Sequence, residues 1–416
     1  HKEYRRQRQM CIRDRSQLKS NFIFFICTLI GLNSCTSNQK TEPSPLNISP
    51  AGKNSSLPHL STGPDDTALI SWIEQKDSLA IFYTSTATAN GWTEPVKIDS
   101  SGEWFINWAD YPSVTAGSGN TSAAHVLQYS GAGTYNYDIL MYTNSGKAWK
   151  KFLLNSDGIP AEHGFVSIVP YDTNFFVTWL DGRNTAIPNE SKSHDGHHGS
   201  MSLRGAIIST SGQSIKEWEI DSRTCDCCQT AAAITRTGPV VIYRDRSDTE
   251  IRDISISRFR DGNWTSPEKI NDDNWMIHGC PVNGPRAIAS GNLLAVVWYT
   301  EAQNEPAVYF ALSENDGESF GKPVRVDIGK PIGRVDITNL PDDKFLVSWL
   351  QDSKIMVRVL GVNGIKSQPK VIAESSDSRS SGFPQMTSTG NQVLFAWTDN
   401  SAGQVITSAW NIRDFE

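Results

Sequence analysis

Short runs of β-branched and apolar residues, each ending in an aromatic, recur along most of the chain. They are Leu69-Ile70-Ser71-Trp72, Val126-Leu127-Gln128-Tyr129, Val177-Thr178-Trp179, Val240-Val241-Ile242-Tyr243, Val296-Val297-Trp298, Val347-Ser348-Trp349 and Leu394-Phe395-Ala396-Trp397. Gly, Asn and Asp clusters bound them, the signals of strands and turns. The spacing is about 50 residues, the length of a four-stranded propeller blade. No long stretch has helical periodicity. In the fifth repeat the strands parse as A (residues 286–289), B (294–299), C (307–312) and D (323–326). The D strands share a proline start, as in Pro95-Val96-Lys97-Ile98 and Pro323-Val324-Arg325-Val326. An outer edge strand tolerates the missing N–H.

The pattern therefore predicts an all-β chain folded as a single β-propeller of four-stranded blades. Seven blades are favoured, and six stay open if one repeat is misparsed. The seventh repeat ends after its C strand near Trp410, and Pro45-Leu46-Asn47-Ile48 matches the D pattern. An N-terminal strand is thus expected to complete the last blade and tie the two ends of the chain together.

The first 44 residues read differently. Residues 1–15 are strongly basic and are read as a probable non-native extension. Residues 16–34 carry Lys19, an apolar run over 22–32 and Leu32-Asn33-Ser34 before Cys35, the outline of a secretory signal. The run is too short for a membrane-spanning helix. Leu-x-Ser-Cys resembles a bacterial lipobox, which implies cleavage before Cys35 and lipidation of its thiol. Polar residues 35–44 read as a tether, leaving 45–416 for the propeller. A lipid-anchored protein of the cell envelope, at the outer membrane or cell surface, is the expected location, with the lipid as its only membrane contact.

Length alone would suggest two or three domains, but one closed propeller can absorb a chain of this length. The formal net charge of −7 argues against a broad nucleic-acid surface, and a monomer is expected.

One turn has a further signature. Ser313-Glu314-Asn315-Asp316-Gly317-Glu318-Ser319-Phe320 resembles the Asp-box of sialidase-like (BNR-repeat) propellers. Weaker relatives are residues 143–149, 261–264 and 90–92. The box is a folding device: Asp or Asn accepts backbone bonds and Gly takes positive φ. Cys225-Asp226-Cys227-Cys228-Gln229, Tyr243-Arg244-Asp245-Arg246-Ser247-Asp248 and Gly279-Cys280-Pro281-Val282-Asn283-Gly284-Pro285 resemble a bacterial family of sialidase-like lipoproteins. The resemblance implies a sialidase-type fold and makes glycans, or another small anionic ligand, the partner to consider. The chain departs from sialidases in its seven repeats and in lacking an early Arg-Ile-Pro motif.

Propeller topology places the D–A and B–C connections on one face, and the unusual residues gather there. Asp110, Tyr111, Glu162 and Asp245 are candidate catalytic carboxylates and nucleophile. Tyr111 with Glu162 or Asp110 is the pairing a sialidase-type hydrolase would need. Arg183, Arg244, Arg246, Arg286, Arg334 and Arg379 are candidates for binding an anionic sugar, with inter-blade salt bridging as the plain alternative. Cys225, Cys227, Cys228 and Cys280, with His278, form either disulfides, free thiols or a copper or zinc site. No cofactor is otherwise required. His194, His197 and His198 in the longest B–C loop are further candidate ligands or a solvated loop. Three functions remain open on sequence: a glycan-active enzyme resembling exo-α-sialidase, a non-catalytic binding or assembly propeller, and a Cys/His metal or redox propeller.

Overall fold

The computed structural model describes residues 44–186 and 199–415; residues 1–43 with Cys35, and His194, His197 and His198, lie outside the described residues. None of the described helices is long and apolar enough to cross a membrane.

Seven antiparallel sheets follow one another along the chain. Their A, B, C and D strands are, in blade 1, Ser55–Thr62, Ala68–Lys76, Leu79–Thr88 and Val96–Ser101. Blade 2 has Ser113–Ala116, Thr121–Tyr129, Tyr137–Ser145 and Trp149–Leu153; blade 3 has His163–Tyr171, Asn174–Asp181, Ser202–Ile208 and Ser214–Asp221. Blade 4 has Ala231–Thr235, Gly238–Arg244, Ile254–Arg260 and Glu268–Lys269; blade 5 has Arg286–Ser290, Leu293–Thr300, Ala307–Ser313 and Val324–Arg325. Blade 6 has Pro331–Leu340, Lys344–Gln351, Lys354–Gly361 and Lys370–Glu374; blade 7 has Gln385–Thr389, Gln392–Asp399 and Gln404–Asn411. The protein is a seven-bladed β-propeller. Each of the seven A strands contributes to one central channel of about 480 Å³.

The repeated aromatic explains itself in three dimensions. Trp72, Trp179, Trp298 and Trp349 are at most 1% exposed and sit between sheets. A buried indole N–H needs an acceptor. Residue i+2 of a strand lies on the same face, and it supplies one: Trp72 donates to Glu74 at 2.9 Å, Trp179 to Asp181 at 2.9 Å and Trp349 to Gln351 at 3.1 Å. The Asp-box turn closes as its residues demand. Gly317 N–H donates to Ser313 Oγ at 2.8 Å and Ser319 N–H to Asn315 Oδ1 at 3.0 Å. Asp316 instead reaches back to the preceding blade and pairs with Arg236 at 2.6 Å.

The ring closes where expected, by a different element. Pro45–Asn47 lies beside the last strand as one turn of 3-10 helix instead of a ladder strand. Proline at its first position favours the turn over the extended form. Its bonds are made through side chains: Thr407 Oγ1 donates to Leu46 O at 2.8 Å and Ala409 N–H to Asn47 Oδ1 at 2.7 Å. Blade 1 also grips blade 7 directly, with Asn54 N–H on Gly403 O at 2.8 Å and Val405 N–H on Ser55 Oγ at 2.8 Å. Leu46 is buried in the blade 7–blade 1 core. Leu46→Ala is expected to cost about 2–4 kcal/mol, read by urea denaturation; a loss under about 0.5 kcal/mol, the range of neutral surface changes, would show that this turn does not hold the ring.

Candidate functional site

Three of the A strands begin with the same irregularity. The register slips between Ser56 and His59, between Gly164 and Ser167, and between Gly333 and Asp336. Leu57, Phe165 and Arg334 sit there at φ 55°, 54° and 52°. A bulge frees one amide from the ladder, and a buried amide must find a partner. Each is met by a side chain from the preceding blade or connection: Thr398 Oγ1 at 3.2 Å, Asp110 Oδ1 at 2.7 Å and Asn283 Oδ1 at 2.8 Å. Asp110 is thus first an anchor for Phe165. Its Oδ2 is buried without a partner and packs on Gly164, where a Cβ would stand 1.9 Å away. Burial, with Glu162 nearby, lifts its carboxyl well above the usual range, against the opposing pull of the Phe165 amide.

Above this floor lies a cavity of about 630 Å³. Its walls come from the D–A and B–C connections. Phe105, Trp108 and Asp110 precede blade 2, and Tyr135 and Tyr137 end its B–C loop. Glu162, Asp226 with Cys227, and Cys280 with Val282 precede blades 3, 4 and 5. Arg246 and Arg379 complete the wall. Most of the cavity's lining comes from the connections of blades 2–4, and a void of about 60 Å³ beside Asp110 and Phe165 shares lining residues with both the cavity and the channel.

Aromatic faces line one side. Phe105 stacks on Tyr137 with centroids 4.3 Å apart, and Trp108 stacks on Phe383 at 5.8 Å. On the same wall Tyr137 O–H donates to Glu162 Oε1 at 2.7 Å. Burial is the main cause that pushes Glu162 up to about 7; the Tyr137 bond opposes it and the Asp226 charge adds to it. Asp226 pairs with Arg246 at 3.0 Å, and Arg246 also binds Glu250 at 2.7 Å.

The sequence-predicted residues divide between this cavity, the channel and the walls between blades. Asp110, Glu162, Arg246, Arg379, Cys227 and Cys280 line the cavity. Tyr111 does not reach Glu162: it faces the small void and bonds Arg286 and Gln385. Arg286 lies in the channel near Asp336. Asp245 turns into blade 4, accepting from Arg246 N–H at 2.6 Å and Ser255 Oγ at 3.1 Å. Arg183 pairs with Asp181 at 2.7 Å and Asp157 at 3.1 Å. Arg334 is buried behind Trp108, its guanidinium 5.0 Å from that ring and donating to Ser378 O and Gly382 O. Arg244 is 1% exposed and donates to the carbonyls of Arg252, Asn283 and Tyr299. The arginines therefore do not converge as one anion clamp.

Tyr137, Asp226 and the aromatic wall were not singled out from the sequence. Tyr137 opens a C strand, a position on the same face as the A-strand entries, and that topological signal would have found it.

The cysteines meet. The Sγ atoms of buried Cys225, Cys227 and Cys228 lie within 4.8 Å of one another, and the exposed Cys280 lines the same cavity as Cys227. All four are unbridged. Hydrogen bonds from the other two thiols hold Cys225 well below the usual thiol range, and burial pushes Cys228 up to about 12. His278 is exposed and stands outside the thiol group.

No family model matches the chain, and no curated protein matches it. Similar solved structures include a Hadza microbial sialidase, 11% identical over 75% of this chain and 66% of that one, with a TM-score of 0.42. A puromycin-hydrolyzing peptidase of Mycobacterium tuberculosis is 10% identical over 88% of this chain and 54% of its own length, with a TM-score of 0.47. An ulvan lyase is 11% identical over 73% and 78% of the two chains, with a TM-score of 0.47. The chain thus spans less than two thirds of the sialidase and about half of the peptidase. The propeller assignment rests on the strand order and the channel that seven A strands build.

Proposed function

We propose that the loop-face cavity is a glycan site and that the protein is a glycoside hydrolase acting there. The observation that carries this reading is the contrast between two carboxylates in one aromatic-walled cavity: Glu162 is lifted to about 7 and bonded by Tyr137, while Asp226 is paired with Arg246. Acid and anion set apart by environment are what glycosidic cleavage uses. Glu162 gives its proton to the leaving oxygen, and Asp226 faces the positive charge that develops at the anomeric carbon. Trp108 and Tyr135 offer the apolar faces on which sugar rings lie. Arg246 is already engaged by Asp226 and Glu250, and Arg379 lies 5.9 Å from the Trp108 ring. That supply of cations suits a neutral or singly acidic glycan end better than a sugar needing three guanidiniums. Carried on a lipidated Cys35, the propeller would do this at the cell envelope.

A second reading, glycan binding without cleavage, is favoured by the commitment of Asp110 to the Phe165 amide. A panel of fluorogenic neutral and acidic glycosides decides between them, run beside a glycan array. Turnover of any member supports the hydrolase. Array binding with no turnover leaves a binding propeller, and neither signal rejects the glycan site.

A further inference from the structure

Four thiols have no role in hydrolysis: Cys227 and Cys280 line the cavity, and Cys225 and Cys228 are buried behind them. Three of them, Cys225, Cys227 and Cys228, come from one short D–A connection, and Cys280 comes from the next. We propose that these four cysteines hold a single thiophilic d10 metal ion, zinc(II) or copper(I), beside the glycan cavity.

Distance is the first argument. Thiolates about 2.3 Å from a tetrahedral zinc stand about 3.8 Å apart. The Cys225 and Cys228 sulfurs are 3.7 Å apart, and the three buried sulfurs share a sphere of 4.8 Å. The ligand set is the second. The three clustered donors, Cys225, Cys227 and Cys228, are all sulfur, and the fourth thiol, Cys280, lines the same cavity as Cys227, a donor set that selects soft ions. Charge is the third. Several thiolates around one ion carry net negative charge, which burial penalises unless cations lie near. Arg252 Nη1 is 3.4 Å from Cys225 Sγ, and Arg244 is buried on the strand that receives the Cys225 amide at 3.1 Å. The chain places two guanidiniums in its interior, one against the sulfurs and one close by. Access is the fourth. Cys280 is exposed and lines the cavity with Cys227, so an ion enters from the cavity side and Cys280 closes over it as the outer ligand. Thiols that bind give their protons to solvent, and no electron moves.

The competing chemistry is a pair of disulfides, Cys225–Cys228 with Cys227–Cys280. The full chain, purified anaerobically with reductant and stripped of metal, should be titrated with zinc(II), and separately with copper(I) against a chromophoric chelator. Expected is one ion per chain, loss of alkylation at the four positions on peptide mapping, and sulfur-only coordination at about 2.3 Å by X-ray absorption. Whichever ion wins identifies the metal. Arg252→Met should weaken binding about 10–100-fold, as loss of a ligand's partner does. Cys280→Ser, at an exposed position that does not threaten folding, should weaken it while leaving the chain folded. Absence of stoichiometric binding by both ions, or recovery of the four thiols as two disulfides that block binding, overturns the proposal.

Discussion

Glu162→Gln is expected to lower glycoside turnover by about 10²–10⁴-fold, the contribution of a positioned general acid. The amide keeps the shape and still accepts from Tyr137, which donates to Glu162 at 2.7 Å in the parent. It has no proton to give. The same variant tests the electrostatics without a substrate. The folded state raises the Glu162 carboxyl from 4.5 to about 7, chiefly by burial, so folding favours its protonated form. The stabilisation is fully present below pH 4.5 and is lost as pH rises through 7. Each pH unit is worth about 1.4 kcal/mol, so the parent should fall by about 2–3 kcal/mol relative to the Gln variant between pH 5 and 8. Denaturant midpoints of the two proteins across that range measure it. A difference that stays flat with pH means Glu162 is ionised and solvated, and then it is no acid. Loss of turnover without the pH-dependent difference would separate catalysis from that burial.

The largest loss of stability should come from Arg244→Met, about 3–5 kcal/mol, the cost of breaking a buried charged network. Three carbonyls would lose their donor. Arg252 O and Tyr299 O each accept at 2.7 Å and Asn283 O at 2.9 Å, and the guanidinium lies 4.7 Å from the Trp275 ring. These groups belong to the B–C loop of blade 4, the entry to blade 5 and the B strand of blade 5, so one side chain ties two blades together. Asn283 then extends the tie to blade 6 by accepting from Arg334 N–H at 2.8 Å. The tight path of this segment needs Gly284, whose Cβ would stand 2.1 Å from Gln229 O. Arg244→Lys should rescue little, because a point charge cannot address three carbonyls in a plane. Equilibrium unfolding in guanidinium gives the number, and a loss below about 1 kcal/mol would be that of a single ordinary hydrogen bond.

These two residues also show how the motif segments divide between roles. The Tyr-Arg-Asp-Arg run reads from sequence as a block of anion-binding candidates. In the fold its members part: Arg244 faces the interior, Asp245 caps its own loop, and Arg246 alone reaches the cavity. Alternation along a strand sends successive side chains to opposite faces, and linear spacing past the strand end carries no record of where each one turns.

Legible in the chain alone were the repeat, the preference for seven blades over six and the strand boundaries of blade 5 to within a residue or two. Those follow from local rules: period-two burial, turn chemistry and the fixed alternation of connections between two faces. Which side chains meet was decided by tertiary structure. Tyr137 takes the place beside Glu162 that sequence gave to Tyr111, because a bulge turns Phe165 toward Asp110 and leaves Tyr111 facing the void beside the channel. The N-terminal segment closes the ring as a turn because its bonds to blade 7 run through the Thr407 and Asn47 side chains, between partners more than 300 residues apart. A pairing across that separation is a property of the closed ring and leaves no periodic trace along the chain.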